Sequence, residues 1–488
     1  MRQGQHLQAL HTLQQEWQMT IPAVMPDTQP SAQQQEALLA LFRQQQYTQM
    51  EQDLQAFLHQ YPAWLGGWKM LSDVLMIQKK DARESAAQAL LLNVDDAEEH
   101  CYYGLALKAQ NDLVAAAEAF KHAIQLKPAY AAAYNNLGIV LKDIGQVEEA
   151  IQQFKQALIL RPEYAEGFSN LLFCMTHAEQ VDNEALLQAH IAYADLYEAP
   201  LMAHWQPHAN TRDAKRPLRI GFVSADLRAH SVAHFLLPLL PGLAKDASLE
   251  LFAYANYALE DEVSAEMRQY FRQWRMVSHI SDDDLAACIR HDQIDILVDL
   301  SGHTAGNRLL TFARKPAPLQ ASWLGYLNTT GLSAMDYYLA DSALLPSGQF
   351  DQQFSEQIVQ LPVNAPFVAH PDAPAVNALP ALKNGYLTFG CFNRPNKITR
   401  VTVQQWAAVM QACPGSRMYL GGMGEAGSYA HLQQWFAEAG ITADRLSFHA
   451  RTDMLGYLQQ YHLVDVCLDT FPSNGVTTTA HALWMGVP

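Results

Sequence analysis

Five residues of this chain recur at a single interval. Gly104, Ala116, Phe120, Ala123 and Pro128 return as Gly138, Ala150, Phe154, Ala157 and Pro162, a shift of 34 residues each time. A period of this length belongs to helix–turn–helix units that cannot bury their apolar faces alone and must stack on one another. The residue types fit that geometry. Small Gly and Ala let paired helices approach closely. Tyr134, Leu137 and Leu141 form one helical face at i, i+3 and i+7, Phe154 and Ala157 form the facing stripe, and Pro162 stops the second helix. Weaker copies lie upstream. One runs from Trp68, Leu71 and Leu75 to Ala89, and another from Leu38, Phe42, Leu54 and Phe57 to Pro62. The step from Pro62 to its counterpart Val94 is 32, so that unit is two residues short. A half-unit follows around Phe168, Leu171 and Leu172, then a helix near residues 184–197.

The period resembles that of the tetratricopeptide repeat, and about four repeats are expected. Stacked repeats make a concave surface suited to a peptide or partner protein. Asn135 and Asn136 lie on the helix that lines such a surface, where an amide can hydrogen-bond an extended backbone. The alternative is an array that only caps the domain behind it.

The 488 residues exceed one compact core, and 49% hydrophobic with 17% charged residues is an ordinary globular balance. The net charge of −17 argues against an extended nucleic-acid surface, which needs clustered Lys and Arg. No apolar run approaches the roughly 20 residues of a membrane helix, and the first residues have no signal-peptide pattern. The six cysteines form no CxxC pair, which reads as a reduced, cytoplasmic thiol set and gives no structural zinc motif.

After a polar stretch, 203–216, the pattern changes to short apolar strands alternating with helices, the signature of parallel α/β sheets. Strands are expected at 218–224, 249–254, 294–300, 321–324, 337–340 and 358–361. A second series follows the Pro- and Ala-rich stretch 365–382, at 387–392, 418–421, 446–449 and 464–468. The fold class expected is therefore α plus α/β: an N-terminal α-solenoid followed by two Rossmann-like lobes. The second lobe reads as truncated, because the sequence stops at Pro488 directly after the helix 478–485. In open α/β sheets ligands bind beyond the C-terminal strand ends, which here directs attention to the loops after Ser224, Leu300, Phe392 and Leu468.

Four polar segments occupy those loops. Asp226–His234 carries His230 and His234 at i, i+4. That spacing can bind zinc, but no Glu stands in the HExxH position and no third ligand is evident. A strand-end imidazole can instead contact an acceptor hydroxyl or a sugar, although capping or packing is the ordinary role of a lone His. Val298–Arg308 brings His303 to a second strand end, behind Gly302. Phe389–Arg400 presents Asn393 together with Arg394 and Lys397, two cations able to neutralise a diphosphate. Leu468–Pro488 turns through Asn474 and Gly475 into Thr477, Thr478 and Thr479 at a helix start, where free amides and hydroxyls attract phosphate.

These segments, RIGFVSADLRAH, DILVDLSGHTAGNR, PAPLQASWLGY, CFNRPNK and DVCLDTFPSNG–TTT–ALWMGVP, stand in this order behind the repeats. Together they resemble the O-linked N-acetylglucosamine transferase family (glycosyltransferase family 41), in its bacterial Spindly-like branch. The resemblance implies a GT-B catalytic region and inverting, metal-independent transfer of a sugar from a UDP- or GDP-linked donor to Ser or Thr hydroxyls of a protein acceptor. No cofactor, metal, nucleic acid or membrane is implied. His230 falls at the acceptor side, with His303 as a second catalytic candidate. Lys397 matches the lysine that contacts the diphosphate, and Thr477 and Thr478 match the phosphate-binding threonines. His481 stands where animal members have an Asp at the ribose, Arg394 where they have Gln, and Val476 where a His or Gly is usual. His481 leaves both UDP-N-acetylglucosamine and GDP-fucose open as donors. The implied organisation is a helical cap or lead-in at 1–32, repeats and linking helices at 33–202, a linker at 203–216, an N-terminal catalytic lobe at 217–382 and an incomplete nucleotide-sugar lobe at 383–488. The competing expectation is a repeat-containing scaffold whose catalytic lobes have decayed.

Overall fold

A computed structural model describes residues 29–213, 215–424 and 429–488. Most of the expected N-terminal cap lies outside these residues. The first described helix, α1 (Ala32–Arg43), is opened by Ser31 in a capping box with Gln34. The chain divides into two compact units between Arg161 and Pro162.

The first unit pairs α1 with α2 (Tyr47–Gln60), α3 (Leu65–Ile77) with α4 (Arg83–Leu92), α5 (Ala97–Ala109) with α6 (Leu113–Leu126), and α7 (Ala131–Asp143) with α8 (Val147–Leu160). The counted period has a packing cause. A Cβ on Gly104 would lie 2.7 Å from the Phe120 ring, and one on Gly138 would lie 2.7 Å from the Phe154 ring. The glycine of each first helix thus admits the aromatic of its partner. Each pair also turns through a left-handed residue: Gln45, Lys79, Asn111 and Gly145 all have positive φ. The next amide reaches back to the carbonyl of Leu41, Leu75, Leu107 or Leu141 at 2.8–3.0 Å, closing a Schellman turn. The two-residue deficit falls in the second pair, where α4 has 10 residues while α2, α6 and α8 have 14.

The second unit begins with α9 (Ala165–Met175) and α10 (Asn183–Tyr197), followed by strands β1 (Leu218–Ser224), β2 (Leu249–Ala255), β3 (Gln273–Met276), β4 (Ile296–Asp299), β5 (Leu319–Ser322), β6 (Tyr337–Asp341) and β7 (Gln357–Leu361). These form a parallel sheet in the order β3-β2-β1-β4-β5-β6-β7. A second parallel sheet, in the order β10-β9-β8-β11, comes from β8 (Thr388–Cys391), β9 (Arg417–Met423), β10 (Leu446–Ala450) and β11 (Val466–Cys467). Alternation along the strands fills both faces of the first sheet. Val223, Tyr254 and Leu297 join one core cluster, while Phe222, Ala253 and Val298 join the other.

Three features differ from expectation. The repeats and linking helices do not form one body through residue 202. Leu172, Tyr193 and Ala194 of α9 and α10 are buried with Val223, Tyr254 and Phe312 of the sheet region, so these helices belong to the second unit. The described residues of the polar stretch 203–216 are irregular yet pinned to that unit: the Trp205 indole donates to the Ala313 carbonyl at 2.8 Å, and Arg216 makes a two-pronged bond to Asp295 at 2.6 and 2.7 Å. The edge strand β3 was not expected. Its residues are all half-buried, with no alternation to reveal it.

Candidate functional site

In both sheets the strand order reverses direction, at β1/β4 in the first and at β8/β11 in the second. Crevices form at such switch points, beyond the strand C-termini. The loops there carry most of the candidate residues.

After β1, the chain turns through Asp226, whose amide is held by Ser224 Oγ at 2.9 Å, and reaches His230. This residue N-caps the short helix Ser231–Leu236: its Nδ1 accepts from the Val232 amide at 3.3 Å and lies 3.6 Å from Asp226 Oδ2. His230 is therefore outside the helical register in which it and His234 share a face. Burial pushes the His230 pKa down, Asp226 pushes it back up, and the positive charges of Arg394, Arg228 and His234 push it down again. Burial raises the Asp226 carboxyl, against the pull of His230, Arg228 and Arg394. Arg394 follows β8, so its charge links the two loops across the unit.

After β8, Asn393 is buried and uses both ends of its amide. Nδ2 donates to Asp469 Oδ1 at 2.7 Å and Thr470 Oγ1 at 2.9 Å, while Oδ1 accepts from Thr478 Oγ1 at 2.5 Å. Lys397 ends a single 3-10 turn, Pro395–Lys397, and its ammonium donates to the Asn474 carbonyl at 2.6 Å. Burial lowers the Lys397 pKa, Asp469 opposes that, and Arg394 adds to it.

After β11, Asp469 gathers the loop that follows. Gly475 has no room for a side chain, since a Cβ would lie 2.3 Å from Thr478 Oγ1 and 2.7 Å from Asn393 Oδ1. The helix Thr477–Trp484 starts there, with Val476 as an N-cap that supplies no side-chain bond. The Thr479 hydroxyl, with one proton to donate, instead lies within hydrogen-bond distance of the Gly475 carbonyl at 3.0 Å and Asp469 Oδ2 at 3.2 Å. One turn on, His481 is 8% exposed, with Nδ1 3.3 Å from the Tyr457 hydroxyl and Phe367 edge-on at 5.4 Å. Its pKa is lowered to about 4, first by burial and then by His234 and His370. Tyr457 is hydrogen-bonded to Tyr461 at 2.6 Å, and Tyr461 to the Thr478 carbonyl at 3.0 Å, so the aromatic pair braces the helix start.

Asn393, Arg394, Lys397, Asn474, Gly475, Thr477–Thr479 and His481 thus share one end of the second sheet, and Arg394 couples them to His230. His303 does not join them. It is completely buried, with Nε2 donating to the Thr330 carbonyl at 2.9 Å and Nδ1 3.0 Å from Ser169 Oγ, among His190, Tyr193 and Tyr326. A ring so enclosed cannot meet a substrate, and the catalytic expectation for His303 is replaced by a structural role. Asn135 is likewise 1% exposed inside the repeat stack and cannot meet a peptide. Asn136 is half-buried, its amide 3.5 Å from Cys101 Sγ. Sequence reasoning missed Asp226, Asp469 and Thr470. The available signal for Asp469 was a carboxylate immediately after a strand end and ahead of a glycine turn.

Among the described residues, no group of three or more His, Cys, Asp or Glu side chains could hold a metal ion, and no helix is long and apolar enough to cross a membrane.

Models of tetratricopeptide repeats match residues 104–145 and 131–164. The chain is similar to the probable UDP-N-acetylglucosamine–peptide N-acetylglucosaminyltransferase SPINDLY of Hordeum vulgare, with 35% identity over 331 residues, 65% of this chain and 34% of the relative. The Arabidopsis thaliana protein of the same name is 34% identical over 340 residues, 65% of this chain and 35% of the relative. The chain therefore spans about a third of the length of these relatives. Among solved structures, a mutant of the Thermobaculum terrenum O-GlcNAc transferase superposes with a TM-score of 0.81 at 33% identity, covering 87% of this chain and 81% of that one. The model of glycosyl transferase family 41 matches residues 172–372 and 376–488, nearly all of the second unit, and this chain belongs to that family.

Proposed function

We propose that the chain is a protein O-glycosyltransferase that moves a sugar from a nucleoside diphosphate to a Ser or Thr hydroxyl of a protein presented by the repeats. The observation that carries this reading is the pairing, through Arg394, of a carboxylate-backed histidine on one loop with a lysine and a glycine–threonine helix start on another. The donor is UDP-N-acetylglucosamine or GDP-fucose, and the setting is cytoplasmic.

The chemistry follows from the two halves. The acceptor oxygen attacks the anomeric carbon from the face opposite the diphosphate, so the new C–O bond forms as the old one breaks and the configuration inverts. The hydroxyl proton passes to His230, held neutral by its burial and its cationic neighbours. For Nε2 to accept it, Nδ1 must give up the Val232 amide bond it accepts at the helix start and carry the ring proton toward Asp226 instead, 3.6 Å away. The electron pair of the broken bond goes to the diphosphate, where Lys397, Arg394 and the amides at the helix start meet the growing charge without a metal.

A decayed scaffold is the second reading, favoured by Val476, which leaves the helix start without a side-chain cap. Thermal unfolding of the full chain with UDP-N-acetylglucosamine and GDP-fucose separates the two. A ligand at 100 times its Kd stabilises by about 2.7 kcal/mol, and that stabilisation should appear with one donor, with transfer abolished in Lys397→Ala. No shift with either donor would sink the enzyme reading.

A further inference from the structure

We propose that Asp469 is the positioning residue of the diphosphate loop. Its carboxylate fixes Gly475 and the start of the helix Thr477–Trp484 in register with Asn393 and supplies the counter-charge that keeps Lys397 a cation. The proposal rests on the reading that this loop receives a nucleoside diphosphate.

A carboxylate beside a diphosphate is at first sight an obstacle, because like charges repel. The geometry around Asp469 explains its presence. Oδ1 accepts three N–H donors: the Asn393 amide at 2.7 Å, its neighbour Thr470 at 2.8 Å and Gly475 at 2.8 Å. Oδ2 lies 3.2 Å from the Thr479 hydroxyl, which it shares with the Gly475 carbonyl at 3.0 Å. These bonds tie the strand end, the loop after β8 and the helix start to one side chain. Each anchored element also bears a candidate diphosphate contact. Asn393 holds Thr478, Gly475 precedes the helix amides, and the same loop supplies the Asn474 carbonyl that holds Lys397. A neutral side chain could make some of these bonds. The negative charge has a second consequence at Lys397, which is faced by Asp469, Arg394 and Cys391. Burial and Arg394 favour the neutral amine. The Cys391 thiol, pushed up to about 12 by its own burial, carries no charge in the working range. Asp469 is thus the anionic neighbour that holds the proton on Lys397.

The sign of the effect is fixed. Diphosphate binding needs the ammonium form and weakens as pH rises through the Lys397 pKa. Removing the Asp469 charge makes that weakening begin at lower pH. The test is calorimetric titration of the full chain with UDP and with GDP at pH 7.5 and 9.5. Titration of the nucleotide itself cancels when the affinity ratio between the two pH values is compared among variants. In Asp469→Asn the ratio should grow by up to about tenfold over wild type. In the Lys397→Arg background, whose cation does not titrate here, removing the Asp469 charge should leave the ratio unchanged, and Asp469→Ser replaces Asp469→Asn if the latter fails to fold. An equal loss at both pH values in Asp469→Asn would leave Asp469 a merely structural residue and overturn the proposal alone, as would a ratio that Asp469→Asn still raises in the Lys397→Arg background. Failure of the wild-type chain to bind either nucleotide would overturn the parent reading together with it.

Discussion

At the scale of single residues, His230 sits between opposing influences: Asp226 stabilises its charged form, while burial, Arg394, Arg228 and His234 disfavour it. A general base must be neutral at the start of the reaction and charged at the transition state. The depressed pKa provides the first condition and Asp226 the second. Replacing Asp226 with Asn removes the one influence that raises the His230 pKa. The acid limb of kcat/KM should therefore move to lower pH while the plateau falls by about 10²-fold, since the nascent imidazolium loses its partner. A pH–rate profile of the variant checks both, and a limb that stays put would show that His230 is not the group titrating. The sequence directs attention to His230 and Lys397 because each follows a strand of recognisable apolar character. His303 satisfied the same criterion and proved structural. The sequence does not reveal that Gly302, at φ 53°, turns the ring inward to Ser169 and Thr330. Asp469 escaped notice for the converse reason: its importance lies in the three segments it joins, and only folding brings them together.

At the scale of elements, the 34-residue period was visible directly because packing enforces it, through glycines that must face aromatic rings. The repeated left-handed turns were less visible, because they are filled by four residues of three chemical kinds: Gln45, Lys79, Asn111 and Gly145. A left-handed backbone costs a residue with a Cβ roughly 1–2 kcal/mol, with Gly and to a lesser degree Asn exempt. Lys79→Gly should therefore stabilise the repeat unit by about 0.5–1 kcal/mol after the entropy of the unfolded glycine is counted. Gly145→Lys should destabilise it by a similar or larger amount. Urea unfolding followed by far-ultraviolet dichroism reads both, and a lower midpoint for Lys79→Gly would contradict the argument. Elsewhere, boundaries were blurred where burial was intermediate. β3 lies at the sheet edge beyond β2, and β11 keeps only Val466 and Cys467 of the expected 464–468.

At the scale of the whole chain, the boundary at Pro162 follows from what α9 and α10 bury. Their inner faces carry polar groups that a stack of repeats could not satisfy: Ser169, His190 and, just after α10, Glu198, which accepts from the Ser333 and Ala334 amides at 2.8 and 2.7 Å and from the Ser333 hydroxyl at 2.9 Å. His190 donates from Nδ1 to the Leu186 carbonyl at 2.7 Å, so its Nε2 accepts from the Tyr326 hydroxyl at 2.8 Å. His303 donates from Nε2 and accepts from Ser169 at Nδ1. Each imidazole is thus a donor–acceptor pair in one tautomer, and a second proton would face a hydroxyl donor inside a buried core. Burial accordingly lowers the His190 pKa to about 4, and that of His303 well below its ordinary value. In the unfolded chain both return to about 6.5. Below that pH the unfolded state binds protons that the folded state refuses, so the stability contributed by this seam is present above about pH 6.5 and is lost as pH falls toward 4. Each histidine adds up to about 1.4 kcal/mol per pH unit to the slope. Other buried histidines, His431 and His481 among them, act in the same direction, so the seam is isolated by comparing slopes rather than absolute stabilities. Urea unfolding of the second unit between pH 7.5 and 5, followed by near-ultraviolet dichroism, should give a shallower pH dependence for His190→Gln than for wild type, even though the variant is less stable at pH 7.5. Equal slopes would mean that His190 takes up its proton without unfolding, and that the seam is open to water.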